Sequence, residues 1–342
     1  MLSKIVSIAL SFFIGTMCCA QTFTPLVENI SASFRGMSTV GKKIVWVSGS
    51  NGTVGFSKDE GKNWNWVNPA GYEKYDFRDI YAFSDKEAVI VNAGSPAVIL
   101  RTTNAGKSWE KVYENTHPDI FLDDLDFVGK NGFILGDPIE GKFQLLKTSN
   151  KGKTWTDVSN DYFLIADQGE AAFAASGSSM KLFKDRLYIG TGGKYSSFFN
   201  YNPKGLKIDK YDVPIWSGES STGIFAIDFW NLNKGIAVGG NYLEDKNNPN
   251  NILLTKDAGL SWTKPNTPVS GYRSDVLYIS ENMVLATGTS GTDISYDGGY
   301  NWKNISTLSF NTLSKSTDNK MIYLTGSKGN VYRLEFTLHH FE

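Results

Sequence analysis

Residues 57–64, SKDEGKNW, return four more times along the chain, as 102–109 (TTNAGKSW), 148–155 (TSNKGKTW), 255–262 (TKDAGLSW) and 295–302 (SYDGGYNW). All five fit S/T-x-D/N-x-G-x-x-W. Asp59, Asn104, Asn150, Asp257 and Asp297 supply a side-chain oxygen that accepts from nearby backbone N–H groups. The glycine takes positive φ, and Trp64, Trp109, Trp155, Trp262 and Trp302 each bring a large ring to bury. Such a pattern builds a turn between two strands and carries no reaction chemistry of its own.

The tryptophans are 45, 46, 107 and 40 residues apart, so the long interval is two repeats with one turn lost. A period of about 40–50 residues filled with strand-like segments marks a β-propeller, each repeat being one four-stranded antiparallel blade. Six blades are expected over residues 34–68, 77–113, 121–159, 170–214, 219–266 and 272–306. In the fourth, residues 171–175 read as the innermost strand, and Asn202-Pro203-Lys204-Gly205 replaces the turn motif. The seventh has only three strands of its own, at 312–316, 321–325 and 331–336, which would leave an open edge. Residues 22–27 are strand-like and are expected to close the ring against 331–336. The expected fold is therefore all-β, a seven-bladed propeller closed by the N-terminal strand, with 21–342 as one domain.

Residues 1–20 read as a secretory signal, with Lys4 before the apolar stretch 5–14 and Cys18-Cys19-Ala20 as the cleavage site. Export to the periplasm or the outside follows, with lipidation at Cys18 or Cys19 as the competing expectation. Cleavage after Ala20 removes both cysteines. With 34 basic and 35 acidic residues, no long-range field favours nucleic acid or an anionic membrane. No later stretch reaches the roughly 20 apolar residues of a spanning helix. The three histidines, His117, His339 and His340, form no ligand-spaced cluster, so neither metal nor cofactor is expected.

The turn motif is the Asp box, or bacterial neuraminidase repeat (BNR), and the chain resembles Asp-box propellers such as sialidases, sortilin-type domains and photosystem II assembly factors. Blades that open with Phe-Arg and end in Thr-x-Asp/Asn-x-Gly-Lys-x-Trp look most like the assembly-factor family and its exported bacterial relatives. So do Gly136-Asp137-Pro138, residues 171–177 (AAFAASG) and residues 236–240 (IAVGG), and the likeness spans about residues 22–336. A sialidase would need an arginine triad, which Arg35, Arg78 and Arg273 match by count; FRGM, however, stands where that family has Arg-Ile-Pro.

In a propeller the loops entering the innermost strands, and those joining second to third strands, open on the face opposite the boxes. The first set contributes Arg35, Arg78, Asp79, Asp123, Asp124, Glu170, Glu219, Arg273 and Asp275, and the second Asn92, Asp137, Tyr195 and Tyr242. The expected function is a non-catalytic, monomeric binding or assembly module. It would hold a protein or glycan through an anionic group at Arg35, Arg78 and Arg273, with Tyr195 and Tyr242 alongside. The rival is a sialidase-like glycoside hydrolase using two of Glu170, Glu219, Asp79, Asp124 and Asp137, about 5–10 Å apart. A third possibility is that these ions only neutralise one another across the channel.

Overall fold

A computed structural model describes residues 18–202 and 207–339. The expected turn at 203–205 and all but the end of the expected signal lie outside the described residues. Seven antiparallel sheets stand around one axis. Blade one is Phe34–Val40, Ile44–Gly49, Val54–Ser57 and Asn65–Trp66, and blades two and three start at Phe77–Ala82 and Leu122–Val128. Blades five, six and seven start at Thr222–Phe229, Asp275–Tyr278 and Thr312–Lys315. The second strands are buried along most of their length, and Ala88–Asn92 and Gly235–Asn241 throughout, because each lies between two strands and two neighbouring blades.

Closure is as the sequence predicts. Cys18–Val27 pairs antiparallel with Val331–His339, with Thr22 opposite Glu335 and Val27 opposite Val331. Phe23 stacks on Phe310, and Leu26, Val27 and Ile30 pack against Phe34, Val47 and Val331.

Each box folds as its residue types require. Ser57 Oγ donates to Asp59 Oδ1 at 2.8 Å and accepts from the Gly61 N–H at 2.9 Å, while Asp59 Oδ1 accepts from the Asn63 N–H at 2.9 Å. Gly61 has φ +83° and the residue before it, Glu60, also lies in the left-handed region at +64°. Of the box tryptophans only Trp302 is buried; the others are half-buried, and the Trp109 indole donates to the Val67 carbonyl of the neighbouring blade.

Blade four departs from expectation. Its innermost strand is Met180–Phe183, not 171–175. Glu170–Ala171 instead pairs with Gly192–Gly193, which joins the sheet of blade five. Residues 172–179 then run across the channel and plug it. Ala172 N–H donates to Asp137, Ala175 C=O accepts from Arg35, and Ser176 bonds Ser274 and Thr312. At Gly177, φ is +68° and a Cβ would stand 2.5 Å from the Asp79 carboxyl, so only glycine passes there.

Carboxylates on the innermost strands staple blade to blade. Asp79 accepts from Leu125 N–H (2.6 Å), Asp124 from Met180 N–H (2.7 Å), Asp228 from Tyr278 N–H and Asp275 from Leu313 N–H (both 2.8 Å). Burial pushes Asp124 and Asp275 up to about 7 against these hydrogen bonds. Their folded values exceed the unfolded value of about 4, so their contribution to stability is full below about pH 4 and lost as pH rises through about 7. The melting temperature is therefore expected to be higher at pH 5.5 than at pH 8, and Asp275→Asn to reduce the difference. A melting temperature that climbs steadily with pH over that range would contradict this assignment.

Candidate functional site

A pocket of about 510 Å³ opens on the face away from the boxes, above the plug. It is built by one repeated device. In blades one, two and three the register slips at the second residue of the innermost strand, and in blade five at the fourth, and the residue at the slip is Arg35, Arg78, Asp123 and Phe225 respectively. A bulge of this kind re-aims a side chain that would otherwise alternate with the pleat. All four line the pocket, as do Ser274 and Asn311 just before the first strands of blades six and seven. The plug fills the place of blade four with Ala172–Ala175.

The two arginines differ in their partners. Arg78 holds Asp76 at 2.7 Å and lies over the Phe121 ring. Arg35 makes one hydrogen bond, to the Ala175 carbonyl at 3.1 Å, and no ion pair among the described residues. Burial lowers its pKa, and the neighbouring Arg78 lowers it further. The wall beside them is aromatic: Phe173 stacks on Phe225 at 3.9 Å, and Tyr272 meets Phe225 edge-on at 4.8 Å. Tyr242 lines the rim from the insertion that follows Gly235–Asn241, where the Asn241 side chain caps the short helix Tyr242–Glu244.

Arg273 stands elsewhere. It is fully buried, donating through Nε and Nη2 to Asp293 and through Nη1 to the Tyr272 carbonyl and Ser290 Oγ. Aligning the stapling aspartates Asp79, Asp124 and Asp275 puts Arg78, Asp123 and Ser274 in one register and Arg273 one place earlier, level with the buried Phe77 and Leu122. The motif YRSD has one residue more than FRD, so the expected ring of three arginines is a pair.

Of the five carboxylates proposed for catalysis, Asp79 and Asp124 are buried staples. Glu170 is held by Lys210 at 2.8 Å and by the Thr191 hydroxyl, and lies in the adjoining cleft rather than in the pocket. Glu219 sits in an exposed turn closed by Thr222. Asp137 does line the pocket; burial raises its pKa to about 6, opposed by the Ala172 N–H. Tyr195 is 46% exposed on a separate hairpin and is not part of the pocket wall. Among the described residues no group of three or more His, Cys, Asp or Glu could hold a metal ion, and no helix is long and apolar enough to cross a membrane.

Comparison with known proteins fits this architecture. The model of the family described as photosynthesis system II assembly factor YCF48 matches residues 46–118. Photosystem II stability/assembly factor HCF136, chloroplastic, of Arabidopsis thaliana is 23% identical over 305 residues, covering 83% of this chain and 71% of that protein. The chain is similar to the photosystem II assembly-factor BNR propellers. This assembly-factor-like propeller also superposes on two solved relatives. One is YCF48 bound to D1 peptide, with TM-score 0.66, 16% identity, and 92% of this chain and 96% of that one covered. The other is YCF48 from Cyanidioschyzon merolae, with TM-score 0.65, 17% identity and coverage of 92% and 98%. At such identities these two superpositions speak for the fold alone.

Proposed function

We propose that this chain is an exported, non-catalytic binding propeller that takes an acidic segment of a protein partner into the pocket at Arg35 and Arg78. The observation that carries the proposal is Arg35: a desolvated guanidinium, next to a second one, with a single carbonyl partner and no ion pair of its own among the described residues, the nearby Asp76 being held by Arg78. Guanidinium donors left unfilled in an aromatic pocket suit a carboxylate held in two-pronged fashion beside an apolar group. A relative solved with a bound peptide favours a protein partner over a glycan. The hydrolase alternative retains only Asp137 of its five candidate carboxylates in the pocket. Export rests on the signal-like residues 1–20, and cleavage after Ala20 would leave Gln21 to Val27 of the closing strand paired.

The test screens the purified chain against short peptides bearing one acidic group, a glycan array and chromogenic glycosides. Acidic peptides are expected to bind, and Arg35→Met to weaken them about tenfold or more, the scale of one charge-assisted hydrogen-bond pair. Glycoside turnover, or peptide affinity unchanged in Arg35→Met, would sink the proposal.

A further inference from the structure

Asp123 is the one pocket residue whose polar atoms are both buried and unused. It is 1% exposed, lines the pocket, and neither carboxyl oxygen makes a hydrogen bond of normal geometry; the Ala174 N–H of the plug is the backbone donor standing near. The other buried aspartates on the innermost strands each accept from a neighbouring blade, as Asp79, Asp124, Asp228 and Asp275 do. Asp123 lies at the bulge and is aimed away from that ladder. Burial outweighs the Ala174 N–H and the Arg78 charge that favour the ionised form, and a carboxyl group in such a place takes a proton instead.

Resting on the anion-binding pocket proposed above, we propose that Asp123 stands as a carboxylic acid in the empty pocket and donates its O–H to the carboxylate that Arg35 and Arg78 attract. The partner chemistry is thereby narrowed to a carboxylate bound together with one proton, whether it comes from a peptide's free terminus or from an acidic side chain. The charged groups facing Asp123 divide in favour of the acid form. Asp124 on its own strand and Asp137 at the second strand of the same blade both raise its pKa beyond the effect of burial, and Arg78 from blade two opposes them. An ionised Asp123 would repel the anion beside it, whereas the acid form adds a third donor to the guanidiniums. No bond is made or broken in the step. The proton remains between the two carboxyl groups, and above the pKa of the empty pocket it must be taken up from solvent on binding.

The probe is a heptapeptide with a free carboxyl terminus and no other acid, labelled with an uncharged dye that has no acidic group. Its C-terminal amide serves as control, and an amidated version carrying one internal glutamate supplies the side-chain source. Affinity is expected to hold while Asp123 keeps its proton in the empty pocket and to fall as rising pH removes it, steepening toward roughly tenfold per unit where a full proton is taken up. Asp123→Asn, whose amide still donates, is expected to bind with a nearly flat pH profile, while Asp123→Leu binds weakly throughout. Because Asp137 titrates near 6, Asp137→Asn is expected to leave the slope above about pH 7 in place. Whichever of the two acidic probes shows the steeper slope identifies the source of the carboxylate. A flat wild-type profile, or a folded Asp123→Asn that no longer binds, overturns the role of Asp123. If neither acidic probe binds at any pH, or Arg35→Met binds as tightly as wild type, the anion pocket itself is wrong and this role falls with it.

Discussion

Deleting residues 21–30 is expected to collapse the ring. Without them Val331–His339 becomes an unpaired edge, and blade seven is left with three strands beside a gap. Phe23 leaves Phe310, and Leu26, Val27 and Ile30 leave Phe34, Val47 and Val331. These four side chains are half-buried, so each contributes about 0.75–1.5 kcal/mol, half the value for full burial, or roughly 3–6 kcal/mol together before the lost strand hydrogen bonds. That is a large share of the roughly 5–15 kcal/mol that holds a domain folded. The truncated chain should melt far below the chain beginning at Gln21 in a thermal scan followed by circular dichroism. Equal melting temperatures would mean that the contacts between neighbouring blades suffice without closure by the two chain ends.

The boxes, the blade period and the closure were legible because each rests on local chemistry repeated at a fixed spacing. The blade-four error has an equally local cause. Residues 171–175 are small and apolar and follow the turn-like Asp167-Gln168-Gly169, which is what an innermost strand looks like. What makes the segment a plug lies far away in the chain: Asp79, Asp137 and Ser274 accept or abut it, and no single stretch carries that information. The pocket was half legible. Arg35, Arg78, Asp137 and Tyr242 were visible as loop residues on the correct face, whereas nothing in the local sequence distinguishes the pocket aromatics Phe121, Phe173, Phe225 and Tyr272 from those of the core. Counting back from the stapling aspartate instead of forward from the aromatic would have exposed the odd register of Arg273 and marked Asp123 rather than Asp124 as the pocket carboxyl.

Arg273 and Arg35 should then behave in opposite ways when each is changed to methionine. In Arg273→Met the Asp293 carboxylate loses Nε and Nη2 and stays fully buried, keeping only the Ser270 N–H and hydroxyl and the Asn304 amide. Breaking a buried ion pair by removing one partner costs about 3–5 kcal/mol, because the remaining charge has no water to return to. Arg35 has no carboxylate to strand, and its removal relieves the repulsion from Arg78 at the loss of one carbonyl contact, so its net effect should stay within about 1 kcal/mol. Urea denaturation of both variants decides between the two roles. The expected outcome is a midpoint far below wild type for Arg273→Met and close to wild type for Arg35→Met. Equal losses would mean that the pocket arginine is as structural as the buried one, and its free donors would then have to be read as part of the fold, with no ligand to serve.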